Sequence, residues 1–265
     1  MPAGAFEGAA PYYVPGRPPY SPALPDLLRD ELGLDGTGRL LDVGCGPGVL
    51  TLWLADLFAD AVGLDPEPEM LEEARRRAAA AGRLDIRWIE GTAEEVGRLA
   101  VAPCRAVTFG QSFHRTDRRR AAEAAYDALE LGGAIVLVSH VVEGRPEPPS
   151  PGPSPIPHEE IRRLIESYLG PLPVDAPGER WQDSLRRTGF GEPRLVYAPG
   201  VPDYVRDEDS VVANFFSMST SAPPRFGPRR QEFEAQLRAL LGARSPDGLF
   251  WDWPGDTEVV LAVRA

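Results

Sequence analysis

Residues 40–48, with the sequence Leu-Leu-Asp-Val-Gly-Cys-Gly-Pro-Gly, constrain the fold of this chain more than any other stretch. Their apolar first half is typical of a short buried strand. The three glycines that follow permit a tight turn and let a ligand approach the backbone closely. Residues 49–58 are amphipathic and predict a helix. A strand, a glycine turn and a helix in this order predict an α/β fold with a ligand at the helix N-terminus.

The spacing of the glycines distinguishes between two classes of ligand. The dinucleotide fingerprint is G-x-G-x-x-G, and its turn seats a pyrophosphate. Here the spacing is G-x-G-x-G, with Val49 at the place of the third glycine. Asp42 precedes the turn and would repel phosphates, and Pro47 removes an amide donor that a phosphate would need. The turn therefore favours a ligand with a positively charged amino-acid end over NAD.

The run Asp-Val-Gly-Cys-Gly-Pro-Gly at residues 42–48 resembles the first motif of class I methyltransferases, which bind S-adenosylmethionine. The resemblance extends over about residues 12–142, and it implies a Rossmann-like, doubly wound α/β sheet of seven strands with an N-terminal lid and helical insertions. Within the motif it assigns cofactor binding to Asp42, Gly44, Cys45, Gly46 and Gly48.

Asp65 ends a second short apolar strand, about twenty residues beyond the turn, where a doubly wound fold places an acid on ribose hydroxyls. The resemblance implies the same role. Pro66 is expected to begin the next helix. Met70 is a candidate adenine contact on the inner face of that helix, although core packing is the simpler explanation for it.

A turn that follows the third predicted strand holds the adenine in the proteins that this chain resembles, through a backbone amide and a nearby acid. Many members carry that acid directly after the glycine, whereas this chain has Thr92. The candidates for the adenine contact are therefore Thr92, Ala93 and Glu94. The alternative for the glutamate is a solvated first turn of helix, which the helix dipole favours.

Residues 2–25 are rich in proline and aromatic residues and show no helical period. The pattern Tyr13-x-x-Gly16-Arg17-Pro18-x-Tyr20 resembles the N-terminal segment of small-molecule methyltransferases of the trans-aconitate methyltransferase type. In those proteins the segment folds over the bound cofactor, which makes Tyr13 and Arg17 candidate cofactor contacts. A disordered or merely packed arm is the alternative.

Residues 110–114 follow the fourth predicted strand and are expected at the crevice, because ligands bind at the carboxyl ends of parallel strands. The backbone at Gln111 is expected to border the cofactor. Methyl transfer needs an aligned nucleophile and, for some acceptors, removal of a proton. His114 is the preferred base, with His140 at the end of the fifth strand as the next candidate. A structural histidine that caps the loop is the alternative for His114.

The net charge of −12 argues against a nucleic-acid partner and against an anionic membrane surface. No apolar run reaches the length of a membrane span, and the start of the chain shows no signal-peptide pattern. Two cysteines are too few for a disulfide framework, so a cytoplasmic location is expected. The spacing of the histidines and cysteines predicts no metal site.

The sequence thus predicts one methyltransferase domain over residues 1–265. Its parts are a lid with the first helix (1–38), a cofactor-binding core (39–142), an insertion (144–178) and a helical cap between the last two strands (199–254). The candidate lining of the acceptor pocket is Tyr20, Phe113, Trp181, Phe215, Phe216 and Met218.

The predicted function is methyl transfer from S-adenosylmethionine to a small-molecule acceptor, with secondary metabolism as one expected setting. One alternative is a cofactor-binding protein of the same fold with a cyclase-like or non-catalytic role. A further alternative is an NAD-dependent oxidoreductase. The sequence identifies neither the acceptor nor the atom that is methylated. It also leaves open whether the protein forms a homodimer.

Overall fold

The computed structural model describes residues 4–99, 101, 103–141, 147–148, 152–172, 180–202 and 204–265. Within these ranges the strands form a large sheet and a small one. In chain order they are β1 (Arg39–Val43), β2 (Asp60–Asp65), β3 (Arg87–Glu90), β4 (Cys104–Gly110), β5 (Leu129–Val141), β6 (Ser154–Pro155), β7 (Arg194–Ala198), β8 (Tyr204–Asp207), β9 (Leu249–Asp252) and β10 (Asp256–Val263).

The α-helices in the same ranges are α1 (Ala10–Gly16), α2 (Leu24–Leu32), α3 (Val49–Leu54), α4 (Pro68–Ala80), α5 (Arg118–Ala128), α6 (His158–Leu169), α7 (Trp181–Thr188), α8 (Glu208–Phe216) and α9 (Arg230–Arg244). Short 3₁₀ helices lie at Ala55–Leu57, Ala93–Arg98, Phe113–Arg115 and Pro223–Arg229. None of the helices described here has the length and apolar character needed to cross a membrane.

The large sheet has seven strands in the order β3-β2-β1-β4-β5-β10-β7. The first five strands of this row run parallel, and β10 runs antiparallel to both of its neighbours. The predicted doubly wound seven-stranded α/β sheet is therefore confirmed. The chain passes from β1 to β2 on one side and to β4 on the other, so a crevice opens at the carboxyl ends of β1 and β4.

Helices cover both faces of the large sheet. Successive side chains along a buried strand point to opposite faces, so neighbouring residues enter different apolar clusters. Leu41 lies in the apolar cluster that includes residues of α5 and α7. Its neighbour Leu40 lies in the cluster that includes residues of α2 and α3. Both leucines are fully buried. The strand predicted from residues 40–43 is thus the central strand that separates the two halves of the core.

A third apolar cluster lies beside the large sheet and joins α6, α8 and α9. Phe226 and Phe233 stack at its centre, with ring centroids 4.0 Å apart. The small sheet, in the order β6-β9-β8, contributes the fully buried Phe250. We call these three helices and the small sheet the cap. Helix α6 lies within the predicted insertion (144–178), whereas residues 144–146, 149–151 and 173–178 of that insertion lie outside the described ranges.

Residues 2–25 show no helical period in the sequence, yet the structure has helix α1 within them. Pro11 occupies the first turn of this helix, where its missing N–H costs little. Tertiary packing supplies the rest of the stability. A Cβ atom on Gly16 would lie 2.4 Å from the carbonyl carbon of Ala213, so only glycine lets α1 approach the backbone of α8 this closely.

Helix α4 begins at Pro68, and the expectation that Pro66 begins it is wrong. The N–H of Glu67 donates a hydrogen bond of 2.9 Å to Oδ1 of Asp65. Glu67 is extended, with ψ at 110°. This link keeps Pro66 outside the helix and at the edge of the crevice.

Arg206 joins the N-terminal segment to the cap. Its side chain is 1% exposed, and its Nη1 donates to Oδ2 of Asp252 at 3.2 Å. Its Nη2 donates to the backbone oxygens of Gly16, at the end of α1, and of Ser210 in α8. A buried guanidinium must be paired and hydrogen-bonded to be tolerated, and here the partners come from three separate elements.

We expect Arg206→Met to lower the free energy of unfolding by about 3–5 kcal/mol, because it leaves the buried Asp252 carboxylate without this cation and two carbonyls without their donor. Urea denaturation monitored by circular dichroism measures the change. The matched control is Arg238→Met, since Arg238 is 37% exposed and pairs with Glu208, Asp209 and Glu234 on the surface. The control should lose no more than about 1 kcal/mol. Equal losses in the two variants would contradict the role given to Arg206.

Candidate active site

Three adjoining cavities lie at the carboxyl ends of the parallel strands. The first, of about 240 Å³, extends from the glycine turn to the end of β3, past Asp65. The second, of about 350 Å³, lies beneath residues 13–20. The third, of about 310 Å³, lies over the ends of β4, β5 and β10 and the start of α7. Gln111 lines all three, so the loop after β4 is the point at which they meet.

The glycines of the turn serve two different purposes. A Cβ atom on Gly44 would lie 2.5 Å from Cβ of Ser112, and one on Gly48 would lie 2.5 Å from Cη2 of Trp88. These two positions need glycine because protein atoms pack against them. Gly46 is different, because a Cβ atom built on it would lie 4.0 Å from its nearest neighbour, Cζ of Tyr13 at the cavity wall. Gly46 therefore leaves its space open toward the first cavity.

Every N–H group in the turn at residues 44–48 already has an acceptor within the protein. The bonds are Gly44 N to Leu64 O (2.7 Å), Cys45 N to Leu64 O (3.0 Å), Gly46 N to Asp65 Oδ2 (2.8 Å) and Gly48 N to Cys45 O (3.0 Å). The remaining residue, Pro47, has no N–H. A pyrophosphate bound here would find no free backbone donor, and this result counts against the dinucleotide alternative.

Asp65 lies at the wall of the first cavity and is 6% exposed. One carboxylate oxygen accepts from the N–H of Gly46 and the other from the N–H of Glu67. Burial raises the pKa of Asp65 to about 6, and these two hydrogen bonds oppose the rise. Each oxygen keeps a second lone pair, so hydroxyl donors on a ligand can still bind.

Asp42 lies below the turn rather than in the open crevice. Its two oxygens accept from the hydroxyls of Thr51, at 2.6 Å, and Thr108, at 2.8 Å. Burial raises its pKa to about 6 despite these bonds. Asp42 lines the second cavity, so its charge acts on a ligand there while the threonines fix its position.

The turn after β3 borders the far end of the first cavity. The side chain of Glu94 accepts from the N–H of Asp117 at 2.9 Å, and Glu95 accepts from the N–H and the hydroxyl of Thr92. Both predicted side chains at this turn therefore form hydrogen bonds within the protein, although the carboxylate of Glu94 keeps acceptor capacity for a ligand. The backbone at Ala93, which is also part of the wall, is a further polar contact.

The N-terminal arm, residues 4–23, covers the first two cavities. The N–H groups of Gly4 and Gly8 donate to the carboxylates of Glu67 (2.8 Å) and Glu69 (2.7 Å), at the start of α4. Met70, 2% exposed on the inner face of α4, lies in a small apolar cluster with residues of the arm. The arm is therefore packed on both the cap and α4, rather than extended into solvent.

Arg17 is the cation at the junction of the first two cavities. Its Nη2 donates to the carbonyl of Ser217 at 3.0 Å, and its guanidinium lies 5.1 Å from the centre of the Tyr13 ring. Its Nε is buried without a hydrogen-bond partner in the part of the chain that the structure describes. No described carboxylate forms an ion pair with Arg17, so its positive charge is available to a ligand.

His140 lies in the second cavity, stacked on Tyr20 with ring centroids 4.8 Å apart. Burial lowers the pKa of His140 to about 4, and the charge of Arg17 contributes to the shift. The imidazole is therefore neutral at neutral pH. Its Nδ1 is buried and has no hydrogen-bond partner among the described residues.

The loop after β4 carries local strain at the meeting point of the cavities. Gln111, at φ 53°, is the one non-glycine residue in the described ranges with a left-handed backbone. Its N–H donates to the carbonyl of Val138 at 2.9 Å, which holds the conformation. His114 follows on the 3₁₀ helix at Phe113–Arg115 and lines both the first and the third cavity.

The structure separates the residues predicted to line an acceptor pocket. Phe113 and Trp181 line the third cavity, and Tyr20 lines the second. The other three belong to the apolar cluster of the cap: Phe215, Phe216 and Met218.

Sequence reasoning missed Ser112, whose hydroxyl donates to the carbonyl of Val43 at 2.6 Å and holds the crevice loop against β1. It also missed the role of Glu67, which accepts from the arm. A serine or a glutamate beside a motif gives no pattern that identifies such contacts, because both depend on residues distant in sequence.

The chain is similar in sequence to known methyltransferases. Residues 40–133 match the family described as a methyltransferase domain. A trans-aconitate 2-methyltransferase of Rhodococcus jostii is 53% identical over 74 residues, which are 27% of each protein. A 2-heptyl-1-hydroxyquinolin-4(1H)-one methyltransferase of Mycobacteroides abscessus is 27% identical over 192 residues, which are 68% of this chain and 82% of that protein. The predicted resemblance to methyltransferases is confirmed.

Solved structures agree on the fold. An S-adenosylmethionine-dependent methyltransferase of Geobacter sulfurreducens, in complex with S-adenosyl-L-homocysteine, has a TM-score of 0.54 and 18% identity. The match covers 98% of this chain and 97% of that one. The fold is therefore that of the class I methyltransferases. The chain spans about half the length (51%) of the first curated relatives it matches, which are described as uncharacterized methyltransferases of Mycobacterium bovis and Mycobacterium tuberculosis.

Proposed function

We propose that this chain, which has the class I methyltransferase fold with a methyltransferase domain at residues 40–133, transfers a methyl group from S-adenosylmethionine to a small-molecule acceptor. The observation that carries the proposal is the presence of two opposite charges along one crevice. Asp65 presents a carboxylate in the first cavity, and Arg17 presents a cation without an ion-pair partner among the described residues where the first cavity meets the second.

The residues at the crevice fit this cofactor. Asp65 would accept hydrogen bonds from the ribose hydroxyls, and Arg17 would pair with the carboxylate of the amino-acid end. Gly46 leaves room for the ribose to approach the turn. At the other end, Met70 and the backbone of Ala93 would border the adenine. The fully bonded amides of the turn offer nothing to a phosphate, which favours this cofactor over NAD.

Three further candidate contacts line the first or the second cavity: Tyr13, Cys45 and Gln111. Tyr13 lies over the turn, and residues of the N-terminal arm close the crevice on the side of α4, as a lid does. Cys45 contributes its small size, since its thiol is buried and its pKa lies well above the ordinary value. The backbone of Gln111 marks the place where the reacting group would meet the acceptor.

S-adenosylmethionine, when bound, supplies a methyl group that its sulfonium already activates, so the protein has only to align the acceptor and manage a proton. His114 lies between the first and the third cavity, where it can accept a proton from an acceptor hydroxyl or amine. The neutral His140 lies in the second cavity, under the arm. The geometry therefore favours His114 as the base.

The names of two relatives support a small acceptor, since one is called a trans-aconitate methyltransferase and the other a methyltransferase of a hydroxyquinolone. The net charge of −12 also disfavours nucleic acid as the acceptor. The division into lid, core, insertion and cap, a cytoplasmic location and a homodimer remain predictions.

We expect S-adenosyl-L-homocysteine to bind at micromolar strength, on the order of −8 kcal/mol, and its affinity to rise as the pH increases through about 6. The sign follows from Asp65: below its raised pKa the carboxyl is protonated, whereas ribose hydroxyls donate to the ionised form. Binding therefore releases a proton at pH 5.5 and none at pH 8. Isothermal titration calorimetry across this range measures both effects.

Asp65→Asn should weaken that binding about tenfold at pH 8, because it removes one charged acceptor, and should flatten the pH dependence. The matched control is Asp85→Asn, which removes the same charge from an exposed carboxylate that pairs with Arg83 and lines none of the three cavities. An unchanged pH profile in a folded Asp65→Asn protein would show that Asp65 does not meet the ribose. Tighter binding of NAD than of S-adenosyl-L-homocysteine would contradict the proposal that S-adenosylmethionine is the cofactor.

His114→Gln should reduce turnover by about 10²–10⁴-fold while leaving cofactor affinity nearly unchanged, because a general base contributes by that factor. A screen of small-molecule acceptors, scored by release of S-adenosyl-L-homocysteine, supplies the substrate for the comparison. His158→Gln is the control, since His158 lies on α6 in the cap. Wild-type turnover in the His114 variant would mean that the histidine only supports the loop.

A further inference from the structure

Apart from Gln111, the residues that line the third cavity have no part in the proposed cofactor contacts. It shares only the crevice loop with the first cavity, through Gln111, Ser112 and His114. Its remaining walls come from the carboxyl-terminal part of β5, from the amino-terminal half of the antiparallel β10 and from the starts of α5 and α7. A ligand in it would therefore lie on the opposite side of the loop from Asp65, next to His114.

One part of this cavity is apolar and contains aromatic side chains. Phe113 packs edge-on against Phe109, with ring centroids 5.0 Å apart. Trp181, the first residue of α7, is half-buried and packs against the same core cluster. Together with Leu137 and Val260 these rings form a surface that suits a flat, apolar group.

The helices also bring positive charge to the rim. Arg118 is the first residue of α5, and Arg180 directly precedes α7. The guanidinium of Arg180 forms no ion pair with any residue in the described ranges. This is notable in a chain that has 40 acidic and 28 basic residues. Among the described residues of the lining, Glu258 is the one carboxylate, and it accepts from the hydroxyl of Ser139 at 3.2 Å.

We infer that the third cavity is the acceptor site and that it takes a flat, apolar small molecule bearing an oxyanion such as a carboxylate. The ring would pack on Phe113 and Trp181, and the anion would lie at Arg180 on the rim. A volume of about 310 Å³ is sufficient for a molecule of that kind. The inference rests on the proposed function, because it assigns the acceptor of the same reaction. If the acceptor binds in this way, Arg180 is the residue that selects acidic acceptors over their neutral analogues.

The probes that test this inference are 2-naphthoate and 2-naphthamide, which share a flat ring and differ in the anion. Calorimetry or saturation-transfer NMR gives the affinity of each, with and without S-adenosyl-L-homocysteine. Wild-type protein should bind the acid at least about tenfold more tightly, because a charge-assisted hydrogen bond is stronger than a neutral one. Arg180→Gln should abolish this selectivity, and Arg180→Lys should retain part of it.

The matched control is Arg120→Gln, which removes one exposed arginine from α5 at a position outside the three cavities. It should keep the full selectivity, which separates a local contact from a change in net charge. Circular dichroism of each variant checks that the fold is intact. Equal binding of the two probes by wild-type protein, absence of binding by both, or selectivity that survives in Arg180→Gln would overturn the inference.

The two proposals fail in different ways. If S-adenosyl-L-homocysteine does not bind, the proposed function fails, yet the selectivity measured without it still tests the third cavity. If it binds normally and the naphthyl probes show no selectivity, only the acceptor assignment fails.

Discussion

The carboxylate of Asp65 is the interaction on which the crevice depends. It bonds the N–H of Gly46 in the glycine turn and the N–H of Glu67 just before α4, so a single side chain connects two neighbouring βα units. Burial disfavours its ionised form, which is why its pKa rises to about 6. Additional donors from a ligand would relieve that penalty. The same carboxylate thus fixes the shape of the turn and favours a ligand with hydroxyl groups.

The N-terminal arm connects the crevice to the cap. At one end it donates to Glu67, which lies beside Asp65. At the other end Gly16 lies directly against α8, and Arg206 binds the carbonyl of Gly16 from within the cap. Through these contacts the arm that covers the first two cavities is fixed to both α4 and the cap.

The parts of the fold that follow from local chemistry could be predicted from the sequence. The central strand, the turn and the inner face of α4 follow from apolar periodicity and from the spacing of the glycines. Helix α1 could not be predicted, because it contains two prolines and depends on the packing of Gly16 against α8. The small sheet β6-β9-β8 was missed for a similar reason, since its strands are short and far apart in sequence.

The site shows the same division. The motif identified the turn and Asp65, because each role requires a particular residue at a particular spacing. It could not show that the side chains of Thr92 and Glu94 are engaged by Glu95 and Asp117. The aromatic residues predicted for an acceptor pocket divide between a cavity and the core of the cap, since hydrophobicity alone does not distinguish them.

The proposed site recognises a nucleoside that carries a charged amino-acid end. The most direct measurement compares S-adenosyl-L-homocysteine with 5′-methylthioadenosine, which lacks that end, in wild-type protein and in Arg17→Leu. In wild-type protein the amino-acid end should increase affinity at least about tenfold, as a charge-assisted contact does. In the Arg17 variant most of that difference should disappear while methylthioadenosine binds as before. Equal binding of the two ligands by the wild-type protein would contradict the account.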